Sequence, residues 1–425
     1  MTEGSSIKLS PLPDIKPQSV IASLDRDRFQ THEGTFNVRD VAPVVGMSES
    51  FVRKVIGHRG LLSARDVLSL LDQDSFAPTL APRSMVLDYL INLANNQTAV
   101  VRSLPSSESL TLLQGESPGV LEQFEESSVR CVVTSTPYWG MRIYKDSHIV
   151  EWADGERNAF GHEQTPESFV RHTAEVLLAL KRLLAEDGSI WWNVMDSFNT
   201  RTQIRGNASE ALRAMQGKDG RKWSEHECRR YSAGHAYLKD GEQCLIPSLI
   251  AECASRLGFY VKSVITWAKT SSLPEPQESR VSRNIEYVLH LTKTRTPYFN
   301  KSIYRSLPAQ LGGRNNGNET DKLSDCWSLP TSSGRDGHGA QFPVALPARC
   351  IALSTEPGDL VLDPFVGSGN TGVAAGALDR RFVGIDVSEE YLSIARERLA
   401  RLSTEQSRFN FQNAEESPTT VALPF

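Results

Sequence analysis

A chain of 425 residues has room for two or three domains, and its net charge of −5 does not by itself suggest nucleic acid. No stretch approaches the roughly 20 apolar residues that cross a bilayer, and the polar start from Met1 to Asp14 lacks a signal-peptide pattern, so a cytoplasmic protein without membrane contact is expected. The six cysteines are scattered and none forms a CxxC pair, which argues against a disulfide framework and a cysteine-rich zinc site; no metal is expected.

Residues 1–33 read as a loose polar leader, and residues 34–98 as a small helical domain. Val38, Val41, Ala42 and Val45 follow helical spacing, Gly46 breaks the run, and Ser48 suits the N-cap of a second helix whose stripe is Phe51, Val52 and Val55. Two short helices around a glycine turn resemble the helix-turn-helix modules of excisionase-type and regulatory DNA-binding proteins. That resemblance implies that Arg53 and Lys54 face a DNA groove or its phosphates. Amphipathic helices follow at Ala64–Leu71 and Met85–Leu93, and residues 99–128 read as a short strand and loop.

From residue 129 strands and helices alternate, which predicts a mostly parallel, doubly wound α/β sheet over about 99–404, with a polar tail at 405–425. Val129–Thr134 is an apolar strand running into Ser135-Thr136-Pro137-Tyr138-Trp139-Gly140. Phe169–Leu184 is a helix ended by Asp187-Gly188, and Ser189–Val194 is the next strand. A basic-leaning insertion spans about 199–240; within it Glu225, His226, Cys228 and His235 match no standard metal-ligand spacing. Ile246–Leu257 is a helix, and Tyr260–Trp267 and Ile285–Thr292 are strands. Between Arg256 and Arg305 nine bases face only three acids, a strip suited to a polyanion, and Lys269, Arg280 and Arg283 are its candidate DNA contacts. A second insertion spans about 295–335.

His338-Gly339-Ala340-Gln341-Phe342-Pro343 precedes a helix at Val344–Ser354. Then Leu360–Leu362 is a strand entering Asp363-Pro364-Phe365-Val366-Gly367-Ser368-Gly369-Asn370, with a helix over Thr371–Leu378. Gly367 and Gly369 remove side chains where a ligand approaches the backbone. The following strand, Phe382–Ile385, ends on Asp386, an acid placed to accept both ribose hydroxyls of an adenosyl group. Gly372 completes a dinucleotide spacing, so spacing alone leaves a dinucleotide open.

The Asp363-Pro364-Phe365 lead-in decides between them, because this stretch resembles the D-P-F-x-G-S-G-T-T cofactor motif of DNA amino-methyltransferases, with Asn370 in place of the first Thr. Ser135 to Tyr138 likewise resembles the S-P-P-Y catalytic motif of that family, with Thr136 in place of the first Pro. His338 to Leu346 looks like the segment that encloses the methionine part of the cofactor, with Gly339 where Pro is common. Trp267, Lys269, Pro274, Glu275, Arg280, Arg283, Glu286 and Lys293 resemble its W-x-K…P-E…R…E…K stretch. Catalytic motif first and cofactor motif last is the permuted order of the beta class.

The resemblance implies a Rossmann-like methyltransferase sheet with a small N-terminal helical domain, S-adenosylmethionine as cofactor and double-stranded DNA as partner. It implies cofactor contacts from Asp363, Phe365, Gly367, Ser368, Gly369, Asp386, His338 and Phe342. Ser135 Oγ and the Thr136 carbonyl would accept the two N–H bonds of an exocyclic amino group, Pro137 would fix the turn, Tyr138 would stack on an extruded base, and Trp139 would add an aromatic wall. A motif headed by Ser points to N4 of cytosine, and one headed by Asp to N6 of adenine. No Pro-Cys dipeptide occurs, which favours direct transfer over the covalent C5-cytosine route. The expected role is modification alongside a cognate restriction endonuclease. N6-adenine methylation, a catalytically impaired DNA-binding regulator, and RNA or small-molecule methylation stay open.

Overall fold

The computed structural model describes residues 34–95 (apart from 74, 78 and 82–84), 110–140, 148–199, 235–269 (apart from 236 and 240), 278–329 and 342–413. Of the residues singled out above, Glu225, His226, Cys228, Pro274, Glu275 and His338 lie outside these, as does most of the 199–240 insertion.

Thr35–Asn37 (β1) pairs antiparallel with Leu61–Ser63 (β2). Around this ribbon lie Val38–Val44 (α1), Glu49–Val55 (α2), Ala64–Leu71 (α3) and Val86–Asn95 (α4). Ser48 caps α2 by accepting from the Phe51 N–H, and Ser63 with Asp66 forms a reciprocal capping box on α3. The module does not keep a core of its own. Val38, Val41, Val52 and Leu70 belong to the same buried apolar cluster as Leu177, Leu184 and Ile250, and Arg256 donates to the Gly46 carbonyl at 3.3 Å.

The body is an eight-stranded sheet. Its strands are Leu110–Gln114 (β3), Val129–Ser135 (β4), Leu184–Val194 (β5), Tyr260–Lys269 (β6), Ile285–Thr292 (β7), Cys326–Leu329 (β8), Leu360–Asp363 (β9) and Arg381–Asp386 (β10). In space they run β8-β6-β7-β5-β4-β9-β10-β3, and only β7 is antiparallel to its neighbours. Successive side chains of the central strands alternate between two cores. Ile190, Trp192 and Val194 of β5, with Leu360 and Leu362 of β9, face Ser117–Leu121 (α5), Pro166–Leu183 (α6) and Ile246–Arg256 (α7). Cys131 and Val133 of β4, Trp191 and Val361 face a second core with Ala345–Ser354 (α8), Asn370–Ala377 (α9) and Glu389–Asn413 (α10). Both faces are thus covered by helices, as the alternating pattern predicts.

Two boundaries differ from expectation. Asp187-Gly188 does not end α6 in a turn; β5 starts at Leu184 and carries both residues in a bulge opposite β4, where Val129 pairs with Leu184 but Cys131 with Ser189. Gly188 sits so close to β4 that a Cβ would lie 2.7 Å from the Arg130 carbonyl, and Arg130 pairs with Asp187. The last helix does not stop near residue 404 but continues to Asn413. Among the described residues, no helix is long and apolar enough to cross a membrane.

Candidate active site

Because β4 and β9 are parallel neighbours, Ser135 and Asp363 emerge at one carboxyl edge of the sheet, where ligands bind in open α/β folds. Val361 pairs with Cys131 and Leu362 with Val132. Asp363 joins the two turns that follow. Its carboxylate accepts from Thr134 at 2.7 Å, from Thr371 at 2.5 Å and from the Phe365 N–H at 3.0 Å. It is 1% exposed, and burial pushes its carboxyl up to about 6 against the pull of those donors. Asp363, expected to touch the cofactor, also ties the two turns together through these three donors.

Beyond it, Gly367 and Gly369 adopt φ of 49° and 91°. Among the described residues a Cβ at Gly367 would meet nothing within 4 Å, so the turn presents bare backbone. The Gly367 N–H donates to Asp386 at 2.8 Å and the Ser388 N–H does so at 2.9 Å, one to each carboxylate oxygen. The Val387 N–H bonds the same carboxylate, and its lone pairs still leave acceptor capacity for a hydroxyl. Phe365 is half-buried and stacks on Phe160, ring centroids 5.1 Å apart. Ser368 is buried and takes bonds from Arg398 on its carbonyl, at 2.8 Å, and its hydroxyl, at 3.0 Å. Asn370 donates to the Phe342 carbonyl at 2.6 Å and accepts from Arg398 at 2.6 Å. Phe342 itself is buried, so its contribution is a main-chain anchor for the turn. A bare glycine turn, an aromatic flank and an acid with spare acceptor capacity fit an adenosyl cofactor.

On the other side of β4, Ser135 and Tyr138 enter a network of side chains from three further strands. Ser135 is opposite Asn193 of β5, and Asn193 is opposite Val288 of β7. The Asn193 amide nitrogen lies 2.7 Å from Tyr138 Oη, 3.0 Å from Glu286 Oε2 and 3.2 Å from Ser135 Oγ, and its two hydrogens are shared among these three acceptors. Tyr138 Oη donates to Glu286 Oε2 and lies 3.3 Å from Ser135 Oγ; Lys269 Nζ donates to Glu286 Oε1 at 2.9 Å. Thr136 donates its N–H to the Asn193 carbonyl at 3.4 Å. Among the described residues six buried side-chain polar atoms lack a partner, and Thr136 Oγ1 and Asn193 Oδ1 are both here. Such concentration marks a site built for more than stability.

The turn is held from behind by residues 150–175. Gly161, at φ 88°, packs on Pro137, and its carbonyl accepts the Gly140 N–H at 2.8 Å. Trp139, expected as a wall of the base pocket, is 2% exposed and donates to the Glu163 carbonyl at 2.9 Å, so it anchors this support instead of facing DNA. Glu163 and Asp154 bracket the buried His172 at 3.0 and 3.2 Å, Trp152 stacks on the imidazole, and Arg171 closes on Asp154 and Glu156. Burial alone would lower the His172 pKa; the bonds to Asp154 and Glu163 outweigh it and carry the ring to about 9.

The expected DNA contacts separate into three kinds. Lys269 is turned inward onto Glu286, because a buried carboxylate requires a counter-charge. Arg280 and Arg283 lie over the Phe198 ring, 3.9 and 5.0 Å from its centroid, and donate to the carbonyls of Gly241 and Asp196. Arg53 pairs with Glu49 at 3.5 Å, and Lys54 is exposed. Sequence reasoning missed Asn193, Arg398, Phe198 and the His172 cluster. Only Asn193 carried a signal: it is a polar residue at the carboxyl end of an apolar strand.

A parallel-stranded sheet with a glycine-turn cradle beside a Ser-Thr-Pro-Tyr turn defines a group-transfer enzyme using an adenosyl cofactor. The family model described as DNA methylase matches residues 129–397, and the chain belongs to that family of S-adenosylmethionine-dependent DNA amino-methyltransferases. It is 33% identical over 304 residues to the type II methyltransferase M.Cfr9I of Citrobacter freundii, covering 70% of this chain and 92% of that one. It is 32% identical over 291 residues to M.XycI of Xanthomonas campestris pv. cyanopsidis, covering 68% and 87%. Among solved structures, PvuII DNA methyltransferase (cytosine-N4-specific) is 18% identical with a TM-score of 0.47, covering 73% of this chain and 95% of that one.

Proposed function

We propose that this enzyme methylates the N4 amino group of cytosine in duplex DNA, on a base turned out of the helix, as the modification partner of a restriction endonuclease. The observation that carries the reading is a hydroxyl, Ser135, at the end of the strand next to the glycine cradle, joined to it through Thr134 and Asp363.

An exocyclic amino group is a weak nucleophile because its lone pair is delocalised into the ring. Ser135 Oγ and the Thr136 carbonyl accept its two N–H bonds and draw the nitrogen towards a tetrahedral shape. A main-chain acceptor makes Thr136 serviceable where the family has proline. Tyr138, its hydroxyl anchored on Glu286, offers a ring fixed in plane against the base. Stacking there offsets the few kcal/mol that extrusion costs. The Gly367 turn, Phe365 and Asp386 would hold S-adenosylmethionine, which when bound supplies an electrophilic sulfonium methyl with S-adenosylhomocysteine as its leaving group. Arg280 and Arg283, on the rim with Phe198, and Arg53 and Lys54 of α2 serve as phosphate contacts. Similarity to two type II methyltransferases supports a protective role, which needs no stable complex with the endonuclease.

The test is methyl transfer from labelled cofactor to unmethylated duplex DNA, followed by digestion to nucleosides. N4-methylcytosine is expected, and Ser135→Ala should slow its formation by about 10²–10³-fold. N6-methyladenine would overturn the choice of base. DNA binding with no methylated nucleoside would turn the reading to a regulator.

A further inference from the structure

We infer that Glu286, a residue that does not touch the base, is the positioning group that sets the direction of the Ser135–Tyr138 hydroxyl relay and so leaves a Ser135 lone pair facing the target amino group. The inference rests on the reading of Ser135 as an amino-group acceptor.

Glu286 is 8% exposed near the start of β7, the one antiparallel strand. That orientation brings the start of β7 to the carboxyl edge where β4 and β5 end. Its counter-charge is Lys269, on Oε1. An ionised carboxylate can only accept hydrogen bonds. Tyr138 must therefore donate its single O–H to Oε2, and Tyr138 Oη is left as an acceptor. The Asn193 amide donates to that oxygen at 2.7 Å, which reinforces the same polarity. The Ser135 hydroxyl, 3.3 Å away, then donates towards Tyr138 and accepts at most one bond from the Asn193 amide, which is 3.2 Å away and has closer acceptors in Tyr138 and Glu286. A hydroxyl has one proton and two lone pairs, so one lone pair of Ser135 remains, and it is the one a target N–H can use.

A neutral residue of the same shape removes this constraint. Glutamine can turn an N–H towards Tyr138 Oη. Tyr138 then donates to Ser135, and Ser135 points its own proton outwards at the amino group, donor against donor. Shape is kept while polarity is lost, which separates positioning from packing.

The experiment compares Glu286→Gln, Glu286→Asp and Ser135→Ala by single-turnover methyl transfer, cofactor titration, DNA binding and thermal unfolding. Glu286→Gln is expected to slow the transfer step about 10²-fold, with cofactor and DNA affinities within about threefold of wild type. Glu286→Asp, which keeps the charge, is expected to recover at least about tenfold of that loss. Adding Tyr138→Phe to Glu286→Gln should cost little more, because both break one relay. A Glu286→Gln rate within threefold of wild type overturns the inference, as does a loss matched by equal weakening of cofactor binding or by unfolding at the assay temperature in a soluble protein. Should Glu286→Gln fail to fold, Tyr138→Phe alone decides: it leaves the Lys269–Glu286 pair in place, and the same 10²-fold loss is expected, whereas a rate within threefold overturns it. If Ser135→Ala itself keeps full turnover, the reading of the site fails first; if it does not and Glu286→Gln does, only the inference fails.

Discussion

The two halves of the carboxyl edge are built from different materials. On the cofactor side, β9 and β10 hold their acids with neutral donors: Thr134, Thr371 and the Phe365 N–H on Asp363, the Gly367 and Ser388 N–H groups on Asp386. On the base side the holding is done by charged side chains: Lys269 of β6 against Glu286 of β7 in front, and Arg171 and His172 of α6 against Asp154, Glu156 and Glu163 behind. The main-chain donors on Asp386 survive substitution around them, which suits a site for one fixed ligand. Side-chain charges suit a pocket that must set the polarity of one hydroxyl.

The largest effect should come from the charged support. Replacing His172 by glutamine leaves Asp154 and Glu163 buried without their shared cation, a lesion of roughly 3–5 kcal/mol. Urea unfolding near neutral pH measures it. The wild type should show the same group through pH. With its folded pKa raised to about 9 from 6.5, His172 contributes stability that is fully present below pH 6.5 and is lost as pH rises through 9. The alkaline fall in stability should flatten in His172→Gln. An unchanged slope would mean that the imidazole is neutral in the folded protein and that the contrast between the halves is not one of charge.

Next in size is the tie between the halves. Asp363→Ala strands two buried hydroxyls and an N–H, so about 3 kcal/mol of stability should go. The Gly367 turn loses its anchor to β4, and cofactor affinity measured by titration should fall by more than tenfold. Affinity held at the wild-type level, with stability lost, would show that sheet pairing alone aligns the two turns and that Asp363 serves the fold only.

The same contrast explains what the sequence made legible. The cofactor half is contiguous from Asp363 to Asp386, so its strand, turn, helix and acid could be read in order, and the sheet with helices on both faces followed from the alternation. Ser135 and Tyr138 were legible for the same reason. Lys269 and Trp139 were misassigned because a basic or aromatic residue beside a motif looks like a ligand contact until its burial is known. Glu286, Asn193 and His172 meet their partners only through strand order and through α6, and strand order is a long-range property that no local pattern carries. Asp187-Gly188 misled in the opposite direction: a turn dipeptide was absorbed as a bulge because β4 lies against it.

The smallest effect gives the sharpest separation of the halves. Gly161 holds φ 88°, where a side chain is strained, and a Cβ there would sit 3.1 Å from Cβ of Pro137. Gly161→Ala should therefore cost about 1–2 kcal/mol. The added methyl pushes on the catalytic turn and not on the glycine cradle, so the transfer rate should drop several-fold while cofactor affinity stays within a factor of two. The neighbouring Phe160 stacks on Phe365 and offers a route by which the disturbance could cross. Cofactor affinity falling in step with the rate would show that this stack couples the two sides, and that the edge works as one unit rather than as two.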